Sequence, residues 1–200
     1  FTGLREAGAA ASVTGWLMCT DNMPSGTAYK LGDVLTARDG TTVEVKNTDA
    51  EGRIVMMDAI ALAVEEGVDA IIDIATLTGA ALMALGQLTA PVLGNDQRVV
   101  DLTLAASAVT GEPLWQLPLE RKYRPQLDSD VADLANIGGR YAGATTAALF
   151  LDHFTRKTPW AHLDIAGTMA VDADESWRSK GATGFGARLL LETALTFTKA

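Results

Sequence analysis

A single cysteine, Cys19, stands among 200 residues, so the chain cannot close a disulfide on itself and does not need an oxidising compartment. Long hydrophobic runs are missing too. No stretch approaches the roughly 18 uncharged apolar residues of a membrane span, and no basic segment leads into an apolar export signal. Positive charge is short: 16 Lys and Arg against 25 Asp and Glu give a net charge of −9. Phosphate backbones and anionic lipids repel such a chain, which argues against nucleic acid and membrane as partners. Aromatic residues are 6% of the total, and the four tryptophans do not interleave with basic residues as a base-stacking surface would. The expectation is a cytoplasmic globular chain. The opening FTGLREAGAAASV has no initiator Met and reads as the end of a helix, so coding sequence upstream of Phe1 is expected.

What is present is apolar residue in quantity, 48% of the chain, enough for one domain with a substantial core. Residues 13–19 form an apolar run that reads as a buried strand, with Cys19 an inert buried thiol. Residues 33–38 and 41–46 flank Asp39-Gly40 as a hairpin. From Arg53, apolar residues Ile54, Met57, Ala61 and Val64 recur at helical spacing until Gly67. Strand-like runs at DAIIDIAT, APVLG and 160–166 then alternate with helical stretches at LTGAALMALG, VVDLTLAASAVTG, 144–157 and 186–198; Met56, Met57 and Trp16 read as core. The order predicts an α/β fold, a three-layer α/β/α sandwich with a mixed, largely parallel sheet, the hairpin supplying the antiparallel part.

The segment with most chemistry is Asn47-Thr48-Asp49-Ala50-Glu51-Gly52-Arg53. Alternate residues of an extended stretch point the same way, so Asp49 and Glu51 can bring two carboxylates into one space. Carboxylates held that close disfavour each other's ionisation unless a cation lies between them. Oxygen ligands without nearby His or Cys suit Mn²⁺ or Mg²⁺, and Zn²⁺ also accepts them. Paired ions would favour hydrolysis, with Arg53 holding an anion or a developing oxyanion. The plainer alternative is a helix start, with Asn47, Thr48 or Asp49 as cap and acidic residues on the positive helix end. Other candidates are weaker. Ser107, Ser129 and Ser176 lack a G-x-S-x-G setting, and GGRYAG and GATGFG lack phosphate-loop spacing. His153 and His162 have no metal-ligand spacing and read as structural; Asp73 and Asp164, inside apolar strands, are expected to bond nearby backbone.

Taken whole, NTDAEGR resembles the signature of the leucyl aminopeptidase family of metallopeptidases. NMPSG at 22–26, GDV at 32–34, ATLTGA at 75–80, ADLANIG at 132–138 and WAHLDIAG at 160–167 follow in the family's order across nearly the whole chain. The resemblance implies that Asp49 and Glu51 are metal ligands, Glu51 bridging two divalent ions (Mn²⁺ or Zn²⁺), and that Arg53 holds a bicarbonate acting as general base. It further implies that Thr76, Leu77 and Gly79 contact substrate, with Asn47, Ala50, Ile137 and Ala166 lining the pocket. The expected activity is release of N-terminal residues such as leucine from peptides by a homo-oligomer, a hexamer in this family. The family's two lysines and two further aspartates have no counterpart before Asn47, where Glu6, Asp21, Asp33, Asp39 and Glu44 sit in other contexts. Two divalent ions bring four positive charges and Asp49 and Glu51 offset two, so residues 1–200 are expected to be an incomplete C-terminal catalytic domain, inactive alone. A non-catalytic assembly subunit of the same fold is the rival reading.

Overall fold

The computed structural model describes residues 1–20, 23–176 and 178–199; Asp21 and Asn22, the latter the first residue of the NMPSG string, lie outside them. A short helix α1 (Thr2–Glu6) precedes the hairpin β1 (Val34–Thr36) and β2 (Thr42–Glu44), which turns at Gly40 with φ +87°. Helix α2 (Glu51–Glu65) leads to β3 (Ile71–Ala75), α3 (Gly79–Leu85), β4 (Ala90–Gly94) and α4 (Gln97–Thr110). There follow β5 (Leu114–Gln116), a 3₁₀ turn at Arg121–Leu127, β6 (Leu134–Ala135), α5 (Gly143–Phe154), β7 (Trp160–Asp164) and, after a small two-stranded ribbon, α6 (Ala187–Thr196). Helices α2 and α4 stop where expected, before Gly67 and Gly111, each in the left-handed region that favours glycine.

The central sheet has the order β3-β7-β4-β5, so β3 and β5 are its edges. Strands β3 and β7 run parallel, as do β4 and β5, while β4 meets β7 antiparallel. The sandwich is therefore three-layered with a mixed sheet. Alternation along the strands sends side chains into two cores. Ile71, Leu93 and Trp160 join Met57 and Ile60 of α2 and Phe150 and Phe154 of α5; Val92, Ala161 and Leu163 join Val99 and Val100 of α4 and Leu189 of α6.

Three expectations need correction. The hairpin does not extend the central sheet; it forms its own three-stranded sheet in which β2 pairs parallel with β6. The antiparallel element of the central sheet is instead β4 against β7. Residues 13–19 are neither strand nor buried: Leu17 is 90% exposed and Cys19 is an exposed thiol. Apolar sequence alone does not make a strand; it needs a ladder partner, and none of the described strands pairs with this run. Trp16 alone reaches the core, half-buried against it. The proline-marked stretch after Gly111, which reads as loop, contains β5, with the Pro113 carbonyl accepting from the Ala90 amide just before the strand begins.

Gly94 closes β4 where a side chain has no room: a Cβ there would lie 2.5 Å from Val100 Cγ2 and 2.6 Å from the Trp160 carbonyl oxygen. Gly94→Ala is expected to destabilise the chain by about 1–3 kcal/mol, the usual cost of overpacking, read as a lower urea midpoint at unchanged slope.

Candidate active site

Two pairs of parallel strands fix where the signature strings meet. Strands β3 and β7 end together, so the turn at 76–78 and the segment from Ile165 emerge on the same side. In open α/β sheets ligands bind beyond the carboxyl ends of strands. Strands β2 and β6 likewise end together, which places residues 46–50 beside Asn136 and Ile137.

Asp164 organises the first junction. Its side chain is fully buried, and Oδ1 accepts from the Leu77 amide (3.1 Å), the Thr78 amide (3.2 Å) and the Ala166 amide (3.3 Å). Oδ2 accepts from the Thr78 hydroxyl at 2.6 Å, and Thr78 Oγ1 in turn caps α3 by accepting from the Ala81 amide. The expectation of backbone bonding holds for Asp164. It fails for Asp73, which accepts from side chains instead, Trp160 Nε1 and His162 Nδ1, both at 2.5 Å. The register explains this: Asp73 is opposite His162, and residues two apart on β7 share its face.

Asn136 organises the second junction, and nothing in the sequence reading singled it out. Wholly buried, it accepts from the Lys46 and Asn47 amides at 2.8 and 3.1 Å and donates to the Asn47 carbonyl at 2.6 Å. A polar residue inside the apolar LANI string was the available signal. From the other side, the Tyr29 hydroxyl donates to the Thr48 carbonyl, with its pKa raised by burial and by the nearby Glu51. The NTDAEGR segment is thus held as a turn, with Asn47 Oδ1 accepting from the Asp49 amide at 2.9 Å. It is not extended, and Asp49 and Glu51 do not owe their placement to strand alternation. Helix α2 begins at Glu51 itself; its cap is Ala50, not Asn47, Thr48 or Asp49. Glu51 therefore sits on the positive end of the helix dipole, half-buried, while Asp49 is exposed.

Arg53, the third residue of α2, is 5% exposed, and its Nε and Nη1 have no hydrogen-bond partner among the described residues. Burial lowers its pKa to about 10, against the opposing attraction of Asp164 and Glu51, so the guanidinium remains a cation at neutral pH. A buried cation with unused donors fits an anion. Gly52 ties this helix start to the other junction, its Cβ position being 3.5 Å from Leu77 Cδ1. The fold thus gathers Glu51, Arg53, Leu77 and Asp164 in one region. Thr76 and Gly79 are exposed on the turn and at the start of α3; Ile137 and Ala166 are half-buried, each beside one of the organising side chains. For a metal the fit is partial: Asp49 and Glu51 are hard-oxygen ligands, but among the described residues no group of three or more His, Cys, Asp or Glu could hold an ion. Cavities lined by Asp69, Arg98 and Lys199, and by Glu112, Phe185 and Arg188, share no residue with this cluster, so concavity alone points elsewhere.

The expected structural role fits His153, whose Nε2 lies 3.4 Å from Thr41 Oγ1; burial and the Arg156 and Arg124 cations lower its pKa against Asp39 and Asp133.

Strands, turns and charges of this kind define the class as an α/β domain that buries an arginine at a helix start, in the field of Glu51 and Asp164. The chain belongs to the cytosol aminopeptidase family: that family's catalytic domain matches residues 1–191. It is 48% identical over 179 residues to a probable cytosol aminopeptidase of Alkaliphilus metalliredigens, covering 90% of this chain and 36% of that protein. The corresponding protein of Geobacter sulfurreducens is 49% identical over 181 residues (90% and 36%), and that of Bordetella avium 47% over 198 (98% and 38%). The chain spans between 36% and 38% of the length of these relatives. Among the described residues, no helix is long and apolar enough to cross a membrane.

Asn136→Ala would leave two amides and a carbonyl of the 46–47 backbone without partners. We expect a loss of about 1–3 kcal/mol in denaturant unfolding, with amide exchange at Asn47 accelerated more than in α4.

Proposed function

We propose that the chain is the C-terminal catalytic part of a metal-dependent aminopeptidase that releases N-terminal residues, leucine among them, from peptides in the cytoplasm. The observation that carries this reading is Arg53, a buried cation with two unpartnered donor nitrogens beside Glu51. The cytosol aminopeptidase names of the relatives support the substrate class and the compartment.

When bound, two divalent ions (Mn²⁺ or Zn²⁺) would supply Lewis-acid activation of water and of the scissile carbonyl. Asp49 and Glu51, the latter at the first residue of α2, are the residues of this chain that would hold such ions. The family's two lysines and two further aspartates, which would complete the site, belong in this reading to the rest of the longer protein, together with an N-terminal domain. Arg53 holds a bicarbonate or carries the developing negative charge, its low local dielectric strengthening that interaction. Thr76, Leu77 and Gly79, on a turn pinned by Asp164, bind the substrate backbone, and Asn47, Ala50, Ile137 and Ala166 line the pocket for its side chain. The working form is a homo-oligomer, a hexamer on the family pattern. A second reading, a non-catalytic assembly subunit, is favoured by one observation, the lack of a metal-holding group among the described residues.

Loaded with Mn²⁺ or Zn²⁺, the 200-residue chain is expected to hydrolyse a leucine chromogenic amide no faster than its Glu51→Ala variant. Robust turnover that this substitution abolishes would overturn the partial-site reading. In the chain extended to carry the missing lysines and aspartates, Arg53→Met should lower kcat by about 10²–10³-fold, the usual effect of removing one preorganised charge-stabilising donor. An extended chain that assembles but hydrolyses nothing would establish the subunit reading.

A further inference from the structure

His162 belongs to none of the roles assigned above, yet it lies directly behind them. Its side chain is fully buried, its ring stacks on Trp160 at 12° with centroids 6.2 Å apart, and its Nδ1 meets Asp73 Oδ1. Among the described residues its Nε2 has no hydrogen-bond partner; it points toward Asp164, with Oδ2 at 4.0 Å. Each neutral tautomer meets an electrostatic conflict. With the proton on Nε2, a bare Nδ1 lone pair would face the Asp73 carboxylate. With it on Nδ1, the Nε2 lone pair would be buried without a donor and turned to a second carboxylate.

We infer that His162 is a positioning residue, a buried imidazolium held between Asp73 and Asp164 that braces Asp164 and, through it, the Thr76–Gly79 turn. Protonation of both nitrogens gives a row of alternating charge: Asp73 negative, His162 positive, Asp164 negative, Arg53 positive. Each buried charge then has an opposite neighbour, as interior charges require. The groups that act on the ring agree with this. Burial opposes its charge, and Arg53 adds to that opposition, but the attraction and hydrogen bond of Asp73 together with Asp164 outweigh them and raise its pKa above the ordinary histidine value. Because the folded value is raised, the stabilisation is fully present below the ordinary histidine pKa and fades as pH rises through the folded one. The use made of the turn in binding substrate rests on the proposed function; the charge state of His162 does not.

Nitrogen-15 spectra of the ring in the wild-type 200-residue chain decide the charge state. At the ordinary histidine pKa of about 6.5, where a free ring would be half neutral, both ring nitrogens should show predominantly protonated shifts. A single neutral tautomer with a bare Nε2 in the folded chain would overturn the inference. His162→Phe keeps a ring against Trp160 but removes both polar contacts, and it is expected to speed amide exchange at Leu77 and Thr78 at least about tenfold relative to α4 amides. Unchanged exchange there would overturn the bracing role. If that variant does not fold, the wild-type spectra still decide. Neither readout uses turnover, so a failed peptidase assay and a failed inference are distinguishable.

Discussion

The Asp164 carboxylate is the interaction on which the rest of the site depends. One buried side chain at the end of β7 gathers three amides and a hydroxyl, and two of those amides belong to the turn that follows the neighbouring strand. A buried carboxylate with fewer donors would be costly, and a turn with fewer acceptors would leave buried amides orphaned; each solves the other's problem. The same bonds start α3, because the Thr78 hydroxyl that donates to Asp164 also accepts from Ala81. Removing the charge would loosen the ends of two strands and one helix together.

Asn136 repeats the device in neutral form on the smaller sheet. Its amide group has both a donor and an acceptor, matching the mixed demands of the Lys46 and Asn47 backbone, whereas Asp164 faces donors only. Helix α2 spans the two junctions, with Glu51 at its first residue following the Asn136-held turn and Arg53 two residues on in the field of Asp164. The burial of Arg53 is tolerable because carboxylates lie near it on both sides.

Strands β3 and β7 were legible as mainly apolar runs broken only by Asp73, His162 and Asp164, and α2 and α4 because glycines in left-handed conformation mark their ends. Residues 13–19 carry the same apolar signal without the neighbour that would make it a strand. In the site, the string from Asn47 to Arg53 was legible as a unit, but its geometry was not: alternation along an extended chain was the wrong period for a turn running into a helix at Glu51. Asn136 and the pairing of Asp73 with His162 depend on register between strands distant in sequence, which local pattern does not contain.

Strand β3 ends the central sheet, and its outer row of amides and carbonyls has no partner strand among the described residues. Ile71, Ile72 and Ile74 make it one of the stickier sequences in the chain, and only Asp73 interrupts them. An edge of that kind is a template for any extended segment that reaches it. What shields that strand therefore bears on how the polypeptide stays dispersed, alongside its net charge of −9.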